Sequence, residues 1–458
     1  MRRKAPAIAA CLVAAIIAIA FGIAPHGFYR DANLLMGNKA YWYPFLDTDT
    51  VLSAVRCLRQ DVDAYVFNPC DPQLRVFTYS PLWMGLTALP VTEAWVPWVG
   101  MSWVLLFLAS LFLLPTARGR EAQVILIAST ASSASIYAME RGNNDLVIFA
   151  LVSLAAVLTI RSLALRRVGY GLVLLAGLLK YYPLGAMAIA LREKPGRFVA
   201  ITAVSMAITA LAVLVTWSDL VRVLRSIPIG QFYTDMFGSK SVGLTMVELF
   251  GAPRWVDPLL RLGLSLAALA VGLRIGLGQR LHADLGQLTP RERSFLLVGA
   301  LMCCSCYFSA QNIGYRAINL ILVMPALTAL IAVTGKPIYR WITGAALALL
   351  WTGAWRMVWE DGVMATAGQF DPLRYLALFL RDLLWWAVIP ALLGAIIALL
   401  RDAPLPTKAL AMLFRPAANS KGGRRNFLRK NLGRPGTDYW RGVFHHQHRT
   451  TLPPSPPH

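Results

Sequence analysis

The chain has 458 residues, of which 57% are hydrophobic and only 15% are charged, and its formal net charge is +21. Soluble globular proteins carry about 45–50% apolar and about 25% charged residues, so this composition excludes disordered and collagen-like chains and argues against a set of soluble domains. Six cysteines in this length are also too few for a disulfide scaffold.

The positive charge lies in a C-terminal tail and in short segments between apolar runs. Residues 401–458 contain 11 Lys or Arg and 2 Asp, a net charge of +9. The remaining distribution is typical of cytoplasmic loops under the positive-inside rule. We therefore interpret the charge as a topology signal and a contact with anionic membrane lipids, and expect no nucleic-acid partner. The tail is rich in Arg, Gly and Pro and is predicted to be disordered.

Apolar runs near the length that crosses a bilayer, about 20 residues, recur along the chain. The first, 8–24, follows a basic N-terminus and is interpreted as an uncleaved span that starts in the cytoplasm. A short run at 182–191 contains Pro183, which disfavours continuous helix, and is predicted to be half of a bent hairpin. The other predicted spans are 94–114, 122–138, 145–161, 168–180, 198–216, 256–277, 295–310, 317–334, 341–357 and 376–400.

The fold class predicted from this pattern is an all-α polytopic membrane protein with about 11–12 transmembrane passes. An even number returns the basic tail to the cytoplasm, which favours twelve. The membrane-embedded domain covers 1–400 and the cytoplasmic tail covers 401–458. Two external loops, 26–80 and 217–255, face away from the cytoplasm. The predicted location is the inner (plasma) membrane, with an extracytoplasmic active face.

The external loop 26–80 contains six aspartates, no glutamate and ten aromatic residues. Aromatic faces and carboxylates together suit sugar binding, because rings stack on the C–H faces of sugars and carboxylates accept from hydroxyls. The alternative is a solvated loop whose aromatic side chains lie at the membrane interface. Cys57 and Cys70 are the two cysteines of the loop. An oxidising compartment permits a disulfide between them, and the sequence leaves this pairing open.

Short motifs follow one another in a fixed order from this loop onward. They are Asp47-x-Asp49, Asp63-Ala64-Tyr65, Asn68-Pro69, Tyr79-Ser80-Pro81-Leu82-Trp83, Gly142-Asn143-Asn144 and Leu179-Lys180-Tyr181-Tyr182-Pro183-Leu184. In their order and placement, over about residues 8–330, they resemble glycosyltransferase family 87. The members of that family are GT-C membrane enzymes that use polyprenyl-phosphate sugars.

The resemblance implies a GT-C-like fold and a mannosyltransferase-like hexosyltransferase. Such an enzyme moves mannose, or a related hexose or pentose, from a polyprenyl phosphate to an extracytoplasmic glycan or glycolipid acceptor with inversion. Asp47 lies where the family has its catalytic aspartate, a general base for the acceptor hydroxyl, and Asp49 is the alternative. Either aspartate could instead cap the loop helix. No cofactor is required, although a divalent cation could bridge a carboxylate and the phosphate.

The leaving group of such a transfer is an anion that fixed positive charge stabilises. The candidates for this role are Arg141, Lys180 and Arg316. Their alternatives are pairing of Arg141 with Glu140 or Asp145, and interfacial positions for Lys180 and Arg316. Further candidates could bind sugar hydroxyls or phosphate, with helix capping as the alternative for the asparagines: Asn143, Asn144, Tyr181 and Asn312.

Two other functions stay open at this point. A secondary transporter should have paired broken helices and an internal repeat, whereas the sequence indicates one broken segment and no repeat. A non-catalytic lipid-binding membrane protein could keep the fold without needing Asp47. No metal constellation is predicted, because Cys303, Cys304 and Cys306 lie in an apolar run without histidine.

Overall fold

A computed structural model of the chain describes residues 4–38, 40–41, 43–226, 236–248, 250–309, 312–354 and 372–404. These residues are predominantly helical, which confirms the all-α part of the predicted fold class. Two short antiparallel strands, β1 (Met236–Phe237) and β2 (Asn312–Ile313), also pair, with Phe237 opposite Asn312. The tail predicted at 401–458 lies outside the described residues from residue 405 onward.

The helices of the described residues differ widely in length. In chain order they are α1 (Ala5–Ile23), α2 (Phe28–Leu35), α3 (Leu46–Leu58), α4 (Trp95–Leu111), α5 (Arg120–Thr130), α6 (Ser133–Arg141), α7 (Asp145–Leu158), α8 (Leu163–Lys180), α9 (Pro195–Val215), α10 (Trp217–Ser226), α11 (Ser241–Glu248), α12 (Val256–Leu277), α13 (Gln279–Gly286), α14 (Pro290–Ser309), α15 (Met324–Thr334), α16 (Pro337–Leu350) and α17 (Pro372–Leu400). Three further segments among the described residues are 3-10 helices: Pro81–Ala88, Tyr182–Arg192 and Gly314–Leu322.

Among the described residues, five helical segments are long and apolar enough to cross a membrane. They are Ala5–Ile23, Arg120–Arg141, Pro195–Val215, Val256–Leu277 and Leu378–Leu400. A sixth candidate is the pair formed by Gly314–Leu322 and α15, bent by 47° at their junction. These segments coincide with six of the twelve predicted spans. The described part of the structure has fewer candidate spans than the twelve predicted because several of the other predicted spans fall on short helices, such as the 14-residue α7. Twelve passes therefore remain a prediction.

Proline and glycine set many of the helix boundaries. Pro195 and Pro337 are the first residues of α9 and α16, where the missing N–H has no intrahelical partner to lose. Gly142 ends α6 in the left-handed conformation with φ 54°. Pro183 follows the end of α8, and the chain continues as the 3-10 segment Tyr182–Arg192. The predicted run at 182–191 therefore begins at a break in helix, and its crossing of the membrane stays a prediction.

Close packing brings α12 against α17 through small residues. A Cβ added to Gly272 would lie 2.7 Å from the Cβ of Leu393, and one added to Gly276 would lie 2.7 Å from the carbonyl of Gly394. A Gly-x-x-x-Gly face of this kind lets two helix backbones approach closely in a membrane. Helix α14 lies in the core, with most of its side chains buried, whereas α9 has no buried residue. The polar residues described next lie near the C-terminal end of α14.

Candidate active site

Helix α3 carries both candidate catalytic aspartates, and its start is fixed against the corner between α6 and α7. The amide of Phe45 donates to the carbonyl of Glu140 at 2.6 Å, and Thr48 Oγ1 donates to the carbonyl of Gly142 at 2.6 Å. A Cβ at Gly142 would lie 2.5 Å from Thr48 Oγ1. Glycine therefore allows both the left-handed turn and the close approach, which together place Asp47 beside the end of α6.

Asp47 is buried and accepts hydrogen bonds on both carboxylate oxygens. Arg141 donates to Oδ1 through Nη2 at 2.7 Å and Nε at 3.1 Å, and Arg75 Nη1 lies 3.5 Å from the same oxygen. Asn143 Nδ2 donates to Oδ2 at 2.6 Å. The N-terminal flanking residue of α3 is Phe45, so Asp47 does not cap the helix. Arg141 pairs with Asp47 here rather than with Glu140 or Asp145.

The environment of Asp47 favours its ionised form. Burial alone would raise the pKa of this carboxyl, but the charge of Arg141 and the hydrogen bonds from Arg141 and Asn143 outweigh burial and hold the pKa below its ordinary value. Asp47 is therefore a carboxylate across the neutral range. Arg141 and Asn143 already donate to its two oxygens, so Asp47 can accept a proton from a substrate only if one of these hydrogen bonds breaks.

Asp49 follows Asp47 by two residues on α3 and lies in a different environment. Residues two apart on a helix do not share a face. Arg56 Nη2 donates to Asp49 Oδ1 at 3.4 Å and to the carbonyl of Cys70 at 2.9 Å. Burial raises the pKa of Asp49 to about 6, with Arg56 opposing the shift. Asp49 is thus the more basic carboxylate, and its contact is with Arg56 rather than with the cations around Asp47.

A second buried carboxylate, Asp145 at the start of α7, holds two more of the predicted cations. Lys180 Nζ lies 2.7 Å from Asp145 Oδ2, and Arg316 Nε donates to the same oxygen at 3.2 Å. The hydroxyl of Tyr182 donates to Oδ1 at 3.0 Å. Asp145 therefore contacts side chains from the end of α8 and from two 3-10 segments.

Asparagines connect these two carboxylate clusters into one network. Lys180 Nζ also donates to Asn143 Oδ1 at 3.0 Å and to Asn144 Oδ1 at 2.6 Å. Asn143 Nδ2 donates to both Asp47 and the hydroxyl of Tyr315, the latter at 2.8 Å. At the far end, Arg316 Nη1 donates to Asn312 Oδ1 at 2.7 Å. We call this connected set the polar network: Asp47, Arg141, Asn143, Asn144, Asp145, Lys180, Asn312 and Arg316.

The polar network carries more positive than negative charge. Three cations face two carboxylates, and the side chains of Arg141, Lys180 and Arg316 are only 12%, 8% and 20% exposed. An aromatic ring lies beside each cation. The ring centroid of Tyr41 is 5.2 Å from the guanidinium of Arg141, and that of Tyr79 is 5.6 Å from Lys180 Nζ. The ring centroid of Tyr182 is 5.9 Å from the guanidinium of Arg316. Charged groups in an apolar protein body are costly unless they are paired or functional. An anion entering the network would meet a net positive charge and aromatic walls.

Tyr181 and the loop cysteines lie outside the polar network. Tyr181 forms the junction between α8 and the 3-10 segment Tyr182–Arg192, with φ 55°, and its side chain is half-buried. Cys57 of α3 and Cys70 form a disulfide with Cα atoms 5.8 Å apart. The sequence left this pairing open. The disulfide ties α3 to the loop that also supplies Arg75.

The carboxylates of the polar network are poorly suited to a divalent cation. Asp47 and Asp145 each contact two cationic side chains. Within the described residues, no group of three or more His, Cys, Asp or Glu side chains is placed to hold a metal ion. The bridging cation that the sequence allowed thus has no ready ligand set among these carboxylates.

Sequence reasoning singled out most members of the network, but not their connections. It missed Arg75, Tyr182 and Tyr315, and it considered Asp145 only as a partner for Arg141. An ionisable residue at the start of an apolar run is itself a signal of a functional position, and this signal could have identified Asp145.

Comparison with protein-family models, curated proteins and solved structures found no match to this chain.

Proposed function

We propose that the protein is a membrane glycosyltransferase that moves a sugar from a polyprenyl phosphate to a glycan or glycolipid acceptor outside the cytoplasm. The observation that carries the proposal is the polar network, in which a buried carboxylate from the external loop lies within one hydrogen-bonded cluster with three cations. A transfer of this kind needs a base for the acceptor hydroxyl and positive charge for the departing phosphate.

In the proposed reaction, Asp47 acts as the general base. It removes the proton of the acceptor hydroxyl while the acceptor oxygen bonds to the anomeric carbon of the sugar. The bond from that carbon to the phosphate oxygen breaks with its electron pair, and polyprenyl phosphate leaves as an anion. Attack opposite the leaving group inverts the anomeric configuration.

Position favours Asp47 over Asp49 for this role. Asp49 has the pKa closer to neutrality, at about 6, but geometry precedes pKa in choosing a base. Asp47 contacts Arg141 directly and reaches Lys180 through Asn143. A donor phosphate bound to these cations would therefore lie beside Asp47, and by competing for Arg141 it would free a lone pair of the carboxylate.

The cations of the network are proposed to bind the donor phosphate. Arg141, Lys180 and Arg316 each already contact a carboxylate, so a phosphate gains by exchange of partners rather than by pairing with free charges. Fixed donors of this type stabilise developing negative charge without reorganising at the moment of reaction. The donor sugar and the acceptor are to be found by assay.

The test uses purified protein in liposomes with labelled polyprenyl-phosphate mannose or arabinose and a panel of glycan acceptors. Wild-type protein should transfer label to at least one acceptor, and Asp47→Asn should lose transfer. Asp49→Asn is the matched control, because it removes a buried carboxylate from the same helix. Full activity in both variants would contradict the proposal, as would no transfer by wild-type protein from any donor.

A secondary transporter is the second candidate, and one structural observation favours it. Two 3-10 segments interrupt the apolar part of the chain, at Tyr182–Arg192 and Gly314–Leu322, and both reach Asp145 through Tyr182 and Arg316. Paired broken helices that meet at a charged site are typical of transporters. Substrate-driven uptake by proteoliposomes without sugar transfer would establish this alternative.

A further inference from the structure

A large cavity lies at the end of the helical bundle opposite the polar network. Its volume is about 1080 Å³, and α12, α13, α14, α15, α16 and α17 contribute to its walls. Leu296 near the start of α14 lines it, whereas Cys306 near the end of α14 contacts Asn312 of the network. Ten residues of helix separate these positions by about 15 Å. The cavity is therefore distinct from the candidate active site.

The walls of the cavity are mainly aliphatic. They include Val271 and Ile275 of α12, Leu296 of α14 and Ile342 of α16. Val271 and Ile338 are 47% and 55% exposed, so the walls can be reached from outside the bundle. This volume is just above the usual range for small-molecule pockets, about 300–1,000 Å³, and suits a ligand with long apolar chains.

One rim of the cavity is basic. Arg274 lies in the last turn of α12 and Arg280 in the first turn of α13, and both are exposed. The acid of this rim, Asp284, accepts from Lys336 Nζ at 2.6 Å and from the hydroxyl of Tyr339 at 2.6 Å. Within the part of the chain that the structure describes, Arg274 and Arg280 form no ion pair. The rim therefore offers uncompensated positive charge at the mouth of an apolar space.

We propose that this cavity binds an anionic glycerophospholipid, with its acyl chains along the aliphatic walls and its phosphate at Arg274, Arg280 and Lys336. Charge complementarity selects the headgroup, because basic clusters at a membrane surface attract anionic lipids. The aliphatic walls match the chains. The site is independent of the proposed glycosyl transfer, since it shares no residue with the polar network. The lipid is a bound component rather than the sugar donor.

The experiment measures lipid retention by the full-length protein. Wild-type protein in mild detergent is titrated with phosphatidylglycerol or phosphatidylcholine, and bound lipids are counted by native mass spectrometry. Wild-type protein should retain one phosphatidylglycerol in preference to phosphatidylcholine. The double variant Arg274→Gln/Arg280→Gln should bind phosphatidylglycerol about 25-fold more weakly, at about fivefold for each arginine.

Two further variants distinguish a specific site from general adhesion. Arg340→Gln is the matched control, because Arg340 is an exposed cation of α16 that pairs with Glu121 and does not line the cavity. It should retain phosphatidylglycerol as wild type does. Ala391→Trp narrows the cavity and should reduce retention of both lipids, with a melting curve in the same detergent without added lipid to check folding. Equal retention of phosphatidylglycerol by wild type and the double variant, or no preference over phosphatidylcholine, would overturn the proposal.

Discussion

Replacing Asp145 by asparagine should destabilise the protein strongly, because the change leaves two buried cations without their carboxylate. Asp145 is only 1% exposed, and Lys180, Arg316 and Tyr182 all contact its two oxygens. Asparagine keeps the shape but removes the charge and puts a donor where one acceptor stood. Breaking a buried ion pair by removing one partner costs about 3–5 kcal/mol.

This cost should be visible as a lower melting temperature of the purified protein in detergent. At about 2 °C for each kcal/mol, a value for large domains, the expected decrease is roughly 6–10 °C. Glu121→Gln is the control, because it removes a carboxylate from an ion pair in which both side chains are about 60% exposed. An exposed pair contributes about 0–1 kcal/mol, so this variant should melt close to wild type.

A second substitution tests whether the uncompensated charge is the cause. Lys180→Met in the Asp145→Asn background removes one of the two stranded cations and should recover part of the lost melting temperature. The coupling between the two changes is then read from a double-mutant cycle. Two results would show that the ion pairs do not stabilise this part of the fold. One is a melting temperature of Asp145→Asn equal to that of Glu121→Gln. The other is a decrease in melting temperature caused by Lys180→Met that is as large in the Asp145→Asn background as in wild type.

Three further predictions concern the reaction and the loop. Because the pKa of Asp47 is held low, transfer by wild type and by Asp49→Asn should not decline between pH 8 and pH 5.5, whereas a base at Asp49 would lose activity as the pH falls through its pKa of about 6. Gly142→Ala should reduce transfer at least tenfold, since its Cβ would meet Thr48, while Gly344→Ala, with open space around it, should not. Cys57→Ala should lower the free energy of unfolding by about 3 kcal/mol, the value for a disulfide that closes a loop of about 15 residues, and Cys11→Ser should have little effect. The pH profile is read from initial rates, and the last prediction from denaturant unfolding.

The long apolar elements of the fold were predictable because length and hydropathy alone identify them. Residues 8–24, 198–216 and 256–277 are helices α1, α9 and α12 with small shifts at their ends. Breaks were harder to locate. The predicted span 122–138 covers two helices, and the predicted span 317–334 bends by 47° between Leu322 and Met324. Hydropathy averages over such interruptions, and contacts with neighbouring helices determine where they occur.

The candidate site was predictable in its members but not in its pairing. The loop 26–80 and the two later motifs supplied Asp47, Asn143 and Lys180, because carboxylates, amides and cations are unusual beside apolar runs. Their connections depend on tertiary geometry. Arg75 reaches Asp47 across 28 residues of sequence, and Arg316 reaches Asp145 across 171 residues. No local pattern encodes contacts over such separations.

The most direct test of the account is the single-turnover rate of sugar transfer at saturating donor for Asp47→Asn and Asp49→Asn at pH 7. Saturating donor separates the chemical step from donor binding, and a positioned general base contributes about 10²–10⁴-fold to that step. Asp47→Asn should be slower than wild type by this factor, and Asp49→Asn should stay within about threefold of wild type. A slow Asp49→Asn beside an active Asp47→Asn would contradict the role of Asp47 as the base.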